Sequence, residues 1–183
     1  MEFAYIKQVL DGDISKFSYL IDIHKNMAYS IAFRILNNKE DAEEAVQDSF
    51  LKAYRALAKF RGESKFSTWL YKIVVNSSVS RLKGRRIESN YMEIDDVPEL
   101  MIDYVESVYR NLDKEDQRKY INRALEELEA EDSLILTLYY LNENTIGEIA
   151  EITSIPPKNL KMKIHRARKK MVLVLTRIFK NDI

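Results

Sequence analysis

One segment of the chain interleaves basic and aromatic residues. Residues 59–86 read KFRGESKFSTWLYKIVVNSSVSRLKGRR and hold eight basic residues against one acid, Glu63. The segment also holds Trp69, the only tryptophan of the chain, and three aromatic neighbours: Phe60, Phe66 and Tyr71. Basic side chains neutralise phosphates, and flat rings stack on unpaired bases. We therefore predict that this segment meets opened DNA or RNA.

Helices must position these residues, because four glycines and three prolines in 183 residues are too few for an all-β fold. Apolar spacing predicts one helix that ends near Asn38 and a second that Asp41 caps. Gly62 predicts a loop over residues 60–66, and Ser67 is expected to cap a helix that runs to about residue 83. Projection of that helix predicts a buried face and an opposite polar face. The buried face holds Leu70, Ile73, Val74 and Ser77, and the polar face holds Trp69, Lys72, Asn76, Ser80 and Lys83.

Charge divides the chain into three blocks, although the net charge is zero. Residues 1–86 carry a net charge of +5, residues 87–116 of −8 and residues 117–183 of +3. Two basic modules around an acidic middle have electrostatic consequences for the choice of partner.

The acidic middle has weak periodicity, which predicts a linker over residues 87–112 with a short helix at 101–109. We therefore expect an all-α fold with two small helical domains. These are residues 1–86 and residues 113–183, joined by the acidic linker.

Several classes of chemistry have no signature in the sequence. There is no cysteine, and no HExxH, P-loop or GxSxG pattern is present. The two histidines, His24 and His165, lie in different predicted modules. We predict no catalytic residue, no cofactor and no metal site. The first residues show no long apolar run, so we expect neither a signal peptide nor a membrane span, and a cytoplasmic location.

Residues 145–170 have the outline of a helix-turn-helix, in which the second helix enters the major groove. Thr145 is expected to cap the first helix and Pro157 to begin the second. No acid occurs from residue 152 to residue 181. Leu160, Ile164, Ala167 and Met171 keep the spacing of a buried face, and Lys158, Lys161, Met162 and His165 point away from it.

Three segments in this order resemble the extracytoplasmic-function group of the sigma-70 family, bacterial RNA polymerase sigma factors that have only regions 2 and 4. DAEEAVQDSFLKAYRAL (41–57) is similar to the helix by which region 2 binds the polymerase clamp. FRGESKFSTWLYKIVVN (60–76) is similar to the melting and minus-ten recognition segment. TIGEIAEITSIPPKNLKMKIHRARKKM (145–171) is similar to the region 4 helix-turn-helix that reads the minus-thirty-five element. The resemblance covers about residues 1–86 and 117–175.

The resemblance implies a role for individual residues. The polymerase-binding residues would be Glu44, Gln47, Asp48 and Leu51. The minus-ten residues would be Phe60, Arg61, Gly62, Lys65, Phe66, Trp69, Lys72, Asn76 and Lys83, with loop 60–66 capturing a flipped base. Two roles stay open for Trp69: a contact with DNA and a place in the fold. The minus-thirty-five residues would be Lys158, Asn159, Lys161, Met162, Lys163, His165 and Arg166, of which Lys163 and Arg166 are predicted phosphate contacts.

The implied partners are core RNA polymerase, promoter DNA and an anti-sigma factor, with no direct insertion into a membrane. The implied function is to direct core polymerase to specific promoters and to assist promoter opening. The acidic linker would thread the polymerase channels, or remain a solvated tether, or screen the basic modules.

Two other functions stay open at the level of the sequence. A helix-turn-helix regulator would bind duplex DNA without polymerase and dimerise through the N-terminal helices. A metal-dependent hydrolase would use Asp41, Glu44 and Asp48, which fall at helical spacing but lack histidine partners.

Overall fold

The structure, a computed structural model, describes residues 2–82 and 97–182. These residues form α-helices and no strand, so the expected all-α fold is confirmed. In chain order the helices are α1 Glu2–Leu10, α2 Phe17–Leu36, α3 Lys39–Ala56, α4 Phe66–Leu82, α5 Glu99–Asn111, α6 Lys114–Glu127, α7 Ala130–Leu136, α8 Ile146–Thr153 and α9 Pro157–Asp182. Within the described ranges, no helix is both long enough and apolar enough to cross a bilayer.

The boundaries of α2, α3 and α4 follow from local chemistry. Asn37 ends α2 with a left-handed φ of 46°, a conformation that asparagine tolerates better than most residues. Asn38 caps α3, because its side chain accepts a hydrogen bond from the backbone of Asp41 at 2.9 Å. The cap therefore lies three residues before the predicted one. α4 begins at Phe66, ahead of the predicted cap Ser67.

The N-terminal group is a bundle in which α2, α3 and α4 pack against one another, with α1 lying against α2. Its interior is filled by large apolar side chains that are almost wholly buried: Leu20, Ile31, Leu57, Leu70 and Val74. Burial of such side chains is the main favourable term in folding. This bundle gives the basic and aromatic segment a rigid support.

The C-terminal group is organised around α9, along which α5, α6, α7 and α8 pack. Val105 on α5 and Ala124 on α6 share a small core with three residues of α9: Leu175, Ile178 and Phe179. The short helix predicted at 101–109 is present as α5, and it is attached to α9. The part of the predicted linker up to residue 96 lies outside the described residues.

The two groups pack against each other in the free chain. α4 lies against α8, and α2 lies against α7. One continuous hydrophobic cluster contains core residues of α2, α3 and α4 together with Ile135, Leu138, Ile149 and Ile152 of the C-terminal group. The basic and aromatic segment is therefore held beside the helix-turn-helix.

Candidate nucleic-acid interface

The loop before α4 presents cations on a constrained backbone. Gly62 adopts a φ of +72°, a conformation that glycine reaches without strain. A Cβ atom at Gly62 would lie 3.4 Å from the ring of Phe3, so α1 closely approaches the loop. Arg61 and Lys65 are exposed on the same loop. The loop can therefore meet phosphates through two side chains without disturbing the core.

The aromatic residues around the loop form a cluster. The Phe60, Phe66 and Trp69 rings lie with centroids 5.3 to 5.7 Å apart. Phe66 is only 3% exposed, whereas Phe60 and Trp69 are half-buried. The ring of Phe66, predicted in the base-capturing loop, lies in the core, so a contact with a base requires the loop to rearrange. Phe60 and Trp69 remain partly accessible to solvent.

Helix α4 exposes the polar face that the sequence predicts. Asn76 is exposed, Lys72 is half-buried, and the hydroxyl of Ser80 donates to the backbone oxygen of Asn76 at 2.8 Å. Of the predicted buried face, Leu70, Val74 and Ser77 are buried and Ile73 is half-buried. Lys83 lies outside the described residues.

A buried polar chain supports α4 from below. The Tyr71 hydroxyl lies 3.1 Å from Nδ1 of His24, and Nε2 of His24 lies 2.7 Å from a carboxylate oxygen of Glu2. Burial, and secondarily the negative charge of Glu2, raises the pKa of Tyr71 to about 12. This chain links α1, α2 and α4. Sequence reasoning missed it, although Tyr71 keeps helical spacing with the buried Val74.

The predicted polymerase-binding residues lie on one exposed side of α3. Glu44, Gln47 and Asp48 are exposed, and Leu51 is 55% exposed, which is high for a leucine. Sequence reasoning missed Arg81 of α4, whose guanidinium lies 2.5 Å from Glu44 and 3.4 Å from Asp48. The hydrogen bond that Arg81 donates to Glu44 and the negative charges of Glu44 and Asp48 raise the pKa of Arg81. Arg81 therefore joins the α3 surface to the polar face of α4.

The geometry does not favour the metal-dependent hydrolase. Asp41, Glu44 and Asp48 all face the guanidinium of Arg81, which lies 3.8 Å from Asp41. A cation bound by all three carboxylates would compete with Arg81 for the same oxygen atoms. In the described part of the chain, no three His, Asp or Glu side chains are grouped as metal ligands.

The predicted helix-turn-helix is present as α8 and α9. Thr145 caps α8 in a capping box with Glu148, and Pro157 is the first residue of α9, as predicted. Leu160, Ile164 and Ala167 are buried, which leaves the opposite side of α9 free. Six of the predicted minus-thirty-five residues are exposed there: Lys158, Asn159, Lys161, Met162, His165 and Arg166.

The seventh, Lys163, lies on a different side of α9. Its ammonium group lies 2.8 Å from the carboxylate of Glu131, and Lys170 pairs in the same way with Asp132 at 2.5 Å. A phosphate contact by Lys163 would replace the Glu131 contact. Both acids come from α7, so the acid-free sequence of α9 does not describe the charge that actually surrounds it.

Two polar contacts join the loop before α4 to α8. The ammonium group of Lys65 lies 2.7 Å from Oε1 of Glu148, and the hydroxyl of Ser64 donates to Glu151 at 3.1 Å. Sequence reasoning could not predict these contacts, because they depend on how the two helical groups pack.

Comparison with known proteins gives the family. The family model for sigma-70 region 2 matches residues 20–87, and the model for sigma-70 region 4 matches residues 118–171. The ECF RNA polymerase sigma factor SigW of Bacillus subtilis is 31% identical over 170 residues, which cover 89% of this chain and 90% of that protein. The chain belongs to the extracytoplasmic-function sigma factors of the sigma-70 family. The ECF RNA polymerase sigma-E factor of Escherichia coli is 30% identical, with 89% of this chain and 88% of that protein covered.

Two solved structures share the fold of this sigma factor. CnrH, solved in complex with the cytosolic domain of CnrY, gives a TM-score of 0.61 at 21% identity and covers 98% of this chain and 97% of its own. RpoE of Bartonella quintana, solved with the anti-sigma factor NepR, gives a TM-score of 0.62 at 21% identity, with 87% and 96% covered. The expected family and its function in transcription initiation are confirmed. In family terms, α3 and α4 lie in region 2, and α8 and α9 lie in region 4.

Proposed function

We propose that this sigma factor binds core RNA polymerase through the exposed side of α3 and directs it to promoters that both of its DNA-binding modules contact. Glu44, Gln47, Asp48 and Leu51 would bind the polymerase clamp. The loop at 60–65 and the polar face of α4 would bind the opened minus-ten element, and the exposed side of α9 would bind the minus-thirty-five element. Residues 1–86 and 113–183 would act as separate modules on the promoter.

One observation supports this proposal above the others. Three exposed surfaces with different chemistry occur in one chain: an acidic α3 with an exposed leucine, a basic loop with aromatic support, and a basic second helix of a helix-turn-helix. A duplex-binding regulator needs only the third surface. The presence of all three favours a protein that holds polymerase and opened DNA together.

The mechanism needs no covalent chemistry from the chain. Capture of an unpaired base offsets part of the cost of opening a duplex, which is about a few kcal/mol. Arg61 and Lys65 would neutralise phosphates of the captured strand, and Asn76 would read a base edge, since an amide both donates and accepts hydrogen bonds. We propose that the chain is not an enzyme and that it acts in the cytoplasm, where polymerase and chromosome are.

We also propose control by an anti-sigma factor. The fold is the same as that of the Bartonella protein that was solved with NepR. A partner that covers the α3 surface and the basic loop would prevent both polymerase binding and base capture. Because the α3 surface is acidic and the loop is basic, such a partner would need basic residues opposite α3 and acidic residues opposite the loop.

The polymerase surface is tested by the double substitution Gln47→Ala and Asp48→Ala. We expect at least about fivefold weaker binding to core polymerase, about 1 kcal/mol, because both side chains are exposed on the proposed polymerase-binding side of α3. Binding is measured by competition with a labelled sigma factor for purified core enzyme.

The matched control is Gln8→Ala with Asp11→Ala, which removes the same two side-chain types from the exposed part of α1 and the turn after it. Equal core binding by both double variants would contradict the assignment of α3. Tight, sequence-specific binding of duplex DNA by the isolated chain would instead favour the regulator that acts without polymerase.

A further inference from the structure

The loop that is proposed to capture a base is occupied by the chain itself. Lys65 and Ser64 of the loop both contact carboxylates of α8, at 2.7 Å and 3.1 Å. Those carboxylates belong to Glu148 and Glu151, which are three residues apart and therefore share one side of the helix. α8 thus presents two negative groups to a loop whose expected ligand is the negatively charged backbone of DNA.

Glu148 is held firmly in position for this contact. One carboxylate oxygen accepts a hydrogen bond from the backbone of Thr145 at 2.8 Å, which completes the capping box, and the other oxygen lies against Lys65. The side chain is only 16% exposed. Burial acts to raise the pKa of Glu148, but the hydrogen bonds from Lys65 and Thr145 outweigh it and lower the pKa to about 2. The carboxylate is therefore ionised at neutral pH and needs no reordering to bind Lys65.

The buried guanidinium of Arg34, at the boundary between the two groups, works against this closed arrangement. Arg34 of α2 is buried, and Nη2 donates to Asn122 of α6 at 2.7 Å. Its Nε and Nη1 atoms have no hydrogen-bond partner among the described residues, and burial lowers the pKa of Arg34. A buried guanidinium with unsatisfied donors destabilises the packing around it. Apolar packing and polar contacts hold the two groups together. Separation of the groups would let Nε and Nη1 of Arg34 form hydrogen bonds with water, which favours opening.

We propose that α8 is an internal competitor of promoter DNA: Glu148 and Glu151 hold Lys65 and Ser64 in a closed arrangement of regions 2 and 4, which opens before the loop captures a base. This inference rests on the proposed function of the loop. It adds that the free chain keeps its own minus-ten surface covered, with carboxylates in place of phosphates.

The test uses the double substitution Glu148→Gln and Glu151→Gln in the full chain. Glutamine also suits the third position of a capping box, so α8 keeps its cap while both negative charges are lost. Because the chain has no cysteine, Lys7→Cys and Lys180→Cys provide two exposed labelling positions, one in each helical group. Energy transfer between the two labels then reports the separation of the groups.

We expect the double variant to show lower energy transfer than the parent. We also expect it to bind labelled single-stranded oligothymidine about two- to fivefold more tightly at low salt, the range that exposed ion pairs allow. The difference should vanish at about 1 M salt, where such pairs are screened. Glu151→Gln alone leaves the capping box unchanged and should shift both measurements in the same direction by a smaller amount.

The matched control is Glu99→Gln with Asp103→Asn, which removes two exposed negative charges from α5 without touching α8. If the Glu148 and Glu151 variants, helical by circular dichroism, match this control in energy transfer and in oligothymidine binding, the proposal is overturned. Run-off transcription by core polymerase with the parent chain tests the proposed function separately. A parent chain without transcription activity would reject that function whatever the energy transfer shows.

Discussion

Cations that are predicted to bind external partners are already paired inside the free chain. Lys65 lies against Glu148 and Lys163 against Glu131, and Arg81, which was not predicted to bind a partner, lies in the same way against Glu44. Ion pairs near the surface contribute about 0–1 kcal/mol each, so exchange of a carboxylate for a phosphate costs little. At the scale of single residues, these ion pairs therefore fix the positions of the cations in the free chain and still allow them to bind phosphates.

Asn76 tests whether the polar face of α4 reads DNA. Its side chain is exposed and makes no hydrogen bond to another described residue, so Asn76→Ala should change the free energy of unfolding by less than about 0.5 kcal/mol. We expect altered preference between promoters that differ only in the minus-ten element, measured by run-off transcription with saturating core enzyme. Asn26→Ala, at an exposed asparagine of α2 outside the proposed DNA-binding surfaces, is the matched control. Loss of core binding by Asn76→Ala would show a structural role instead.

At the scale of elements, α8 is short and depends on its cap. It has eight residues, and a helix of this length is only marginally stable by itself. The capping box satisfies backbone groups at its beginning, and Ile149 and Ile152 bury its apolar side. Because Glu148 belongs to both the cap and the contact with Lys65, the stability of α8 and the closed arrangement are coupled.

Thr145→Ala should therefore weaken the helix-turn-helix. Loss of the hydroxyl that accepts from the backbone of Glu148 should lower the free energy of unfolding by about 1 kcal/mol, measured by thermal or urea unfolding. Thr145→Ser keeps the hydroxyl and should stay close to the parent. An alanine variant as stable as the serine variant would mean that the capping box contributes nothing measurable.

At the scale of the whole molecule, the two helical groups share one hydrophobic cluster. Polar contacts between described residues also cross from one group to the other, among them Lys65 with Glu148, Ser64 with Glu151, and Arg34 with Asn122. Binding to both a promoter and polymerase would expose part of that cluster. A ligand shifts such an equilibrium only by its difference in affinity for the two arrangements. Polymerase, through α3, and DNA, through the loop and α9, would together bind the open arrangement more tightly than the closed one.

The pH dependence of the closed arrangement follows from Glu148. Its pKa in the folded chain is about 2 and its ordinary value is 4.5, so the ionised form favours the folded, closed state. The stabilisation is fully present above pH 4.5 and is lost as the pH falls from there toward 2. We expect energy transfer between the labelled groups to fall across this window more in the parent than in Glu148→Gln. Parallel profiles would show that other carboxylates cause the change.

Much of the functional surface could be predicted because it depends on local spacing. Three-and-four periodicity was enough to place Leu160, Ile164 and Ala167 inside and Lys161 outside, since a helix fixes the direction of each side chain. The cap at Thr145 and the start at Pro157 were also local matters. The burial of Phe66 could not be predicted in this way, because a residue at a loop boundary is buried by helices that are distant in sequence.

The sequence by itself determined the helices, the order of the three functional segments and the family to which the chain belongs. Only the tertiary structure decided which charges meet: Arg81 with the α3 acids, Lys163 with Glu131, and Lys65 with Glu148. The physical reason is that these contacts join residues 32 to 83 positions apart, so they depend on how the helices pack. Periodicity describes one helix at a time, and it carries no information about the side chains that a neighbouring helix will bring against it.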